Sequence, residues 1–275
     1  MELLEISGYA GALLIGIVIG LLGGGGAMLA VPVMIYLLRI PTDEATAYSL
    51  FVVGTTALIG SLRYWALKQV NFFIAFFFLV PSVIFVYLTR LWLVPAIPQQ
   101  FFIGDKLLEK KFVLMVFFAL LIMVAGISML SKLPGMRPAK SSDAVKPSLQ
   151  NSWKLVVISA WGCAVGFLAG LLGAGGGFMI VPVMILLARL PVKMAVGTSL
   201  TVIAGQSLVG FLGDLHSNHN LDWSFLASFT SLSLLGMMLG TLVSRKSKPE
   251  KIKRAFAWFS LAMGVAIIIT ELALY

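Results

Sequence analysis

The sequence predicts an all-α, polytopic membrane protein made of two homologous repeats. Each repeat has a glycine-broken apolar segment and three spanning helices, giving eight or more membrane segments in an inverted-repeat arrangement. Three observations carry this expectation. The 275 residues are 60% hydrophobic and only 11% charged, with a mean hydropathy of +1.02, whereas soluble domains carry about 25% charged residues. Six stretches lack Asp, Glu, Lys and Arg (residues 45–62, 69–89, 112–131, 194–213, 223–244 and 255–270), and each is near the roughly 20 residues a spanning helix needs. Finally, residues 20–60 align with 170–210 without a gap, and 20 of the 41 positions are identical.

The duplication divides the chain into a first repeat (1–131), a polar basic linker (132–154) and a second repeat (155–275). Beyond residue 62 the match returns as pattern, with Val70-Asn71-Phe72 resembling Leu221-Asp222-Trp223. Two halves of one unit are the signature of many transporter folds. The linker holds Pro134, Gly135, Pro138, Pro147 and five basic residues, the composition of a solvated irregular loop.

Each repeat opens with an uncharged stretch too long for one span. Residues 8–38 contain GLLGGGGAMLAVP and residues 155–188 contain GLLGAGGGFMIVP. As a single helix, the first would reach about 46 Å, against a hydrocarbon core of about 30 Å. Its central glycines would each cost up to ~1 kcal/mol relative to alanine. A break at Gly23–Gly26 and at Gly173–Gly177 resolves both problems. Backbone freed by a break at membrane depth is tolerated only when buried in protein or lining a cavity. A helix restarting near Val31-Pro32 or Val181-Pro182 would suit proline in its first turn and would aim its N–H groups at an anion. The two ends would meet near the midplane. By contrast, Gly16-x-x-x-Gly20, Gly166-x-x-x-Gly170 and Gly236-x-x-x-Gly240 read as helix-packing spacings.

Basic residues distinguish a single span from a hairpin at each glycine stretch. With hairpins returning to their starting side, 15 of the 20 Lys and Arg fall on one face and 5 on the other; with single spans the split is 13 to 7. The positive-inside rule favours hairpins, which invert the halves, whereas single spans would make them parallel. Either way both termini lie outside the cytoplasm. The net charge of +9 resides in short loops and does not point to nucleic acid. The one cysteine, Cys163, rules out an internal disulfide,. MELLEIS has no basic n-region of a cleavable signal,.

The pattern G-L-L-G-x-G-G-G-x-x-x-V-P, followed by Gly197-Thr198-Ser199-Leu200, resembles the TauE/SafE family of sulfite exporters, also described as sulfonate uptake permeases. The resemblance covers both halves. It implies a multi-pass plasma-membrane transporter of a bacterium or archaeon, moving small sulfur-containing anions such as sulfite or sulfoacetate. The first repeat departs from the second motif, reading Ala47-Tyr48-Ser49-Leu50.

The candidate substrate-binding residues are therefore the two breaks with their prolines and the polar groups of the next span. They are Gly23, Gly24, Gly25, Gly26, Pro32, Ser49 and Thr55 in one repeat. In the other they are Gly173, Gly175, Gly176, Gly177, Pro182, Thr198, Ser199 and Gln206. Ser and Thr can instead bond their own helix at i−4, and a mid-span amide such as Gln206 wants a partner, either substrate or another helix. Arg63, Arg90, Asp214 and Glu271 fall near predicted span ends, so no span centre supplies an ionisable relay. Proton coupling would ride on a protonated substrate, or transport would be uncoupled. Arg39 and Arg189, repeat partners, read as snorkelling side chains or as anion attractors. His216 and His219 with Asp214 and Asp222 read as a solvated loop rather than a metal site. No cofactor, catalytic residue or metal is expected. The expected partners are a small anion and the lipid bilayer. The rivals are a passive anion channel, in which helix N-termini also line the pore, and a membrane protein without transport activity. An enzyme lacks support, since neither H-E-x-x-H nor G-x-S-x-G occurs,.

Overall fold

A computed structural model describes residues 2–98, 100–103, 106–130, 152–215 and 221–274. The linker expected over 132–154 lies almost wholly outside the described residues, as do His216 and His219. The long apolar stretches are helical. In order come α1 (Glu2–Leu22), α2 (Ala27–Pro32) with a π-helical continuation over Val33–Leu37, and α3 (Thr42–Ala66). Next are α4 (Phe72–Leu88), a π-helical segment Thr89–Leu93 and the short α5 (Val94–Ala96). A two-stranded antiparallel hairpin follows, β1 (Gln100–Ile103) with β2 (Lys106–Glu109), placing Phe101 opposite Leu108. Then come α6 (Lys110–Leu130), α7 (Ser152–Leu172), α8 (Gly177–Leu186), α9 (Val192–Leu215), α10 (Trp223–Lys246) and α11 (Pro249–Leu274). Among the described residues seven helices are long and apolar enough to cross a membrane, and Gly8–Leu22, Ala27–Leu37 and Gly177–Leu186 are shorter apolar helices. Apart from the β1–β2 hairpin, which lies between spans, this is the all-α membrane protein the composition predicts.

Local chemistry sets the element boundaries. Asn71 caps α4 by accepting from the Ile74 amide at 3.1 Å, and Asp222 caps α10 by accepting from Ser224 and Phe225 at 2.9 and 3.0 Å,. Pro41 and Pro191 precede α3 and α9, and their carbonyls take the first helical bonds from Ala45 and Ala195, both at 2.8 Å. The residues before those prolines' neighbours, Arg39 and Arg189, adopt left-handed backbone with φ 55° and 53°. Both arginine side chains are exposed.

The glycine breaks are hairpins, not single spans. An added Cβ on Gly8 would strike Leu38, one on Gly11 would strike Val33, and one on Gly26 would strike Ile15 and Ile19. The chain after the first break therefore runs back along α1. Gly176 likewise faces Ala169 and Val165 of α7. The limbs are unequal: the leading helices have 21 residues, while α8 has 10. Helix restarts at Ala27 and Gly177, directly after the glycines, and not at the Val-Pro pairs. Pro32 and Pro182 lie inside the returning limbs. The amides of Ala27, Met28 and Leu29 already find acceptors in Gly24, Gly25 and Gly26, so the turn is wound from the glycines onward.

Helix directions follow from the close glycine contacts. Gly16 abuts Ser233 and Gly20 abuts Met237 and Thr241, so α1 and α10 run parallel. Gly162 abuts Phe78 and Gly166 abuts Ser82, so α4 and α7 are also parallel. In contrast Gly54 faces Leu208 and Gly210 faces Leu50, making α3 and α9 antiparallel. Gly126 faces Ala257 and Gly264 faces Ala119, making α6 and α11 antiparallel. The small-residue pairs thus do what their spacing implies: they let backbones approach closely. Helices α3 and α9 form the buried centre, with about 72% of each apolar window inside the protein. Large side chains such as Phe76, Trp92, Val124 and Ile269 point outward from the surrounding helices, where hydrocarbon would cover them.

Candidate anion site

The two hairpin tips meet in the middle of the molecule. A Cβ on Gly24 would lie 2.7 Å from the Gly177 carbonyl oxygen, and one on Gly177 would lie 2.7 Å from that of Gly24. No residue with a side chain fits at this crossing. Gly23 and Gly173 end the two long limbs with φ +74° and +67°, a conformation that glycine takes without steric cost. The second tip has two further left-handed glycines, Gly175 and Gly176.

Each tip is held by the other half. Ser49 in α3 donates to the Gly173 carbonyl at 2.6 Å, and Ser199 in α9 donates to the Gly23 carbonyl at 3.0 Å. Ser199 also donates to its own helix at Val196, 2.9 Å away. Gly23 packs on Val196 and Gly173 on Thr46. All of these residues are buried. The contacts therefore occur in pairs that exchange residues 150 apart.

Gln206 belongs to the same cluster. Its amide nitrogen donates to the Gly175 carbonyl, and its oxygen accepts from Ser82 in α4. Thr198 accepts from the Asn71 amide at 3.0 Å and so joins α9 to the start of α4. Thr55 is half-buried on α3. Gly25 packs against Leu22 and Phe256, and Pro32 is buried in the returning limb. The structure thus brings together the two glycine tips, Ser49, Ser199 and Gln206, while Thr198, next to Ser199 on α9, bonds the start of α4 instead.

Two further features adjoin the tips. Ser207 has a buried hydroxyl without a hydrogen-bond partner, and a Cβ on Gly175 would stand 2.6 Å from it. Thr56, one helix away, also has a buried unpartnered hydroxyl. Beside Gly173, Arg90 is 2% exposed. Its Nη1 reaches Thr46 Oγ1 at 3.0 Å and Asp214 Oδ2 at 3.2 Å, while Nε and Nη2 have no partner. The two ionisable groups lie near helix ends, as the sequence suggests, yet they face each other inside the protein. One signal could have found them: both interrupt apolar runs, LTRLWLV and FLGDL, without a nearby opposite charge along the chain.

A profile of the family described as "Sulfite exporter TauE/SafE" matches residues 9–267. The chain belongs to the TauE/SafE family. Among the relatives of this TauE/SafE protein is a "Probable membrane transporter protein" of Xylella fastidiosa (strain 9a5c). It is 28% identical over 260 residues, 93% of this chain and 91% of the relative. The "Probable membrane transporter protein YunE" of Bacillus subtilis (strain 168) is 27% identical over 267 residues, covering 93% and 94%. A similarly described protein of Methanocaldococcus jannaschii is 26% identical over 275 residues, covering 94% of each. No solved structure matches the chain at a significant level. The family and these relatives make the TauE/SafE protein a multi-pass membrane transporter of a small substrate.

Proposed function

We propose that the protein is a secondary transporter of small sulfur-containing anions, such as sulfite, sulfoacetate or other organosulfonates, across the plasma membrane by alternating access. The substrate binds at the crossing of the two glycine hairpins. The observation that carries this reading is the meeting of the tips at Gly24 and Gly177, beside the unpartnered Ser207 hydroxyl. A buried donor without a partner costs free energy, and an anion's oxygen would satisfy it. Gly23–Gly26 with Ser49 and Thr55, and Gly173, Gly175–Gly177 with Thr198, Ser199 and Gln206, would then supply the lining once the tips part. Pro32 and Pro182 would shape the limbs that move.

The halves 1–131 and 155–275 act as inverted repeats about a linker in this reading. Antiparallel pairing of α3 with α9 and of α6 with α11 supports it, because corresponding helices related by an axis in the membrane plane run in opposite directions. In this arrangement the positive-inside rule puts both termini outside the cytoplasm. The backbone contact between Gly24 and Gly177 weighs against a permanently open channel, since it fills the place where a pore would run.

Counterflow in proteoliposomes tests the function. Radiolabelled sulfite outside should accumulate transiently when unlabelled sulfite is trapped inside, and Gly175→Leu should abolish this while the protein still inserts. Uptake without counterflow would identify a channel.

A further inference from the structure

Beside the first hairpin tip lies a cavity of about 230 Å³, bounded by Arg63 and Tyr64 of α3, Gln69, Lys193 of α9, and Thr241 and Ser244 of α10. Water needs only about 10–15 Å³ of such space, so a small oxyanion fits with several waters. Thr241 donates to the Met237 carbonyl at 2.7 Å.

The residue numbers connect this hole to the buried ion pair. Tyr64 stands 150 residues before Asp214, and Thr241 stands 151 after Arg90. These are the offsets that relate Gly23 to Gly173 and the helix caps Asn71 to Asp222. The surroundings agree: a Cβ on Gly20 would lie 2.3 Å from the Met237 carbonyl oxygen, and one on Gly170 would lie 3.0 Å from that of Val86. In one half, therefore, a guanidinium and a carboxylate fill the space beside the glycine tip. In the other half, a threonine and a tyrosine leave it empty.

We infer that the Arg63–Tyr64–Lys193–Thr241 cavity is an oxyanion-binding mouth, and that the Arg90–Asp214 pair plugs the corresponding mouth on the opposite side. The plug is self-contained, since the carboxylate of Asp214 stands toward Arg90 where a substrate anion would stand. Among the described residues the open mouth has no carboxylate in its lining; cations reach it from two helices, and the Gln69 amide can donate to an anion's oxygens,. It opens on the side that carries Arg63, Lys68, Arg189 and Lys193, the basic and hence cytoplasmic side. The inference rests on the transport reading for the anion's identity, but its own test does not need transport.

The experiment uses full-length protein in nanodiscs with Cys163→Ser and Ser244→Cys. The thiol is reacted with an anionic methanethiosulfonate (ethylsulfonate) and a cationic one (ethyltrimethylammonium), and each rate is normalised to free cysteine. The anionic reagent should be favoured at least tenfold. Arg63→Gln with Lys193→Gln should bring the ratio near one, and sulfoacetate should slow labelling. Thr46→Cys, which sits at Arg90 on the plugged side, should remain unlabelled. Should Ser244→Cys fail to fold, Leu67→Cys at the exposed rim of the cavity serves instead. A ratio near one in the unmodified lining, or one unaffected by removing both cations, overturns the inference. So does ready labelling of Thr46→Cys. Counterflow without charge-selective labelling leaves transport standing and removes this mouth, whereas charge-selective labelling without counterflow removes transport and keeps the anion site.

Discussion

Ser49 and Ser199 do the same job with different security. Ser49 gives its proton to the Gly173 carbonyl alone, whereas Ser199 shares its proton between Gly23 and its own helix. Ser49→Ala should leave a buried carbonyl bare, at a cost of about 1–3 kcal/mol. Ser199→Ala should cost less, and melting temperatures of the two variants in detergent check the ranking. Position 173 is far less forgiving. A methyl group there would fall 2.2 Å from both Arg90 Nη2 and Thr46 Cβ, on a backbone with φ +67°, whereas at Gly60 the nearest atoms are 3.5 Å away. Gly173→Ala should destabilise strongly and Gly60→Ala little, by the same melting assay. At the ion pair, Asp214→Ala strands a buried guanidinium and should cost about 3–5 kcal/mol. The double change Arg90→Ala with Asp214→Ala should cost less than the two single changes summed, and a double-mutant cycle measures the difference.

The helices and their breaks were largely legible in the sequence. Charge-free runs near 20 residues gave six spans, and the overlong runs with clustered glycines gave the hairpins, because hydrocarbon thickness leaves few alternatives. Where the returning limbs begin was not legible. Proline at the first turn is a preference, but the glycine carbonyls at Gly24–Gly26 accept the first amides and start the helix five residues sooner. The cross-element partners of Ser49, Ser199 and Gln206 were not legible either, since each lies more than 30 residues away and no local pattern encodes it. The plug at Arg90 was hidden because its counter-charge is 124 residues distant. At the same scale, a Cβ on Gly236 would stand 2.1 Å from the Leu13 carbonyl oxygen. Gly236→Leu should therefore pry α10 from α1, which protease sensitivity of the purified protein would reveal, while Leu239→Ala on the exposed face should not. Gln206→Leu removes the donor to Gly175 and the acceptor for Ser82; if it also touches substrate, sulfite affinity should fall by ~1 kcal/mol or more, measured by ligand-induced thermal shift.

For the molecule as a whole, hairpins at both breaks place the segment joining α5 to α6 on the face away from the basic side. A reporter inserted after Ile103 should score as extracytoplasmic, and one inserted in the linker as cytoplasmic; the reverse pattern would reject the inverted arrangement. The exchanged serines carry a consequence for biosynthesis. When the translocon releases the first half, the oxygen of Gly23 has no hydroxyl to meet, because Ser199 leaves the ribosome 176 residues later. The nascent amino-terminal half would keep an unfinished tip in the lipid until translation is complete, so a chain truncated at the linker should be degraded faster than the full chain.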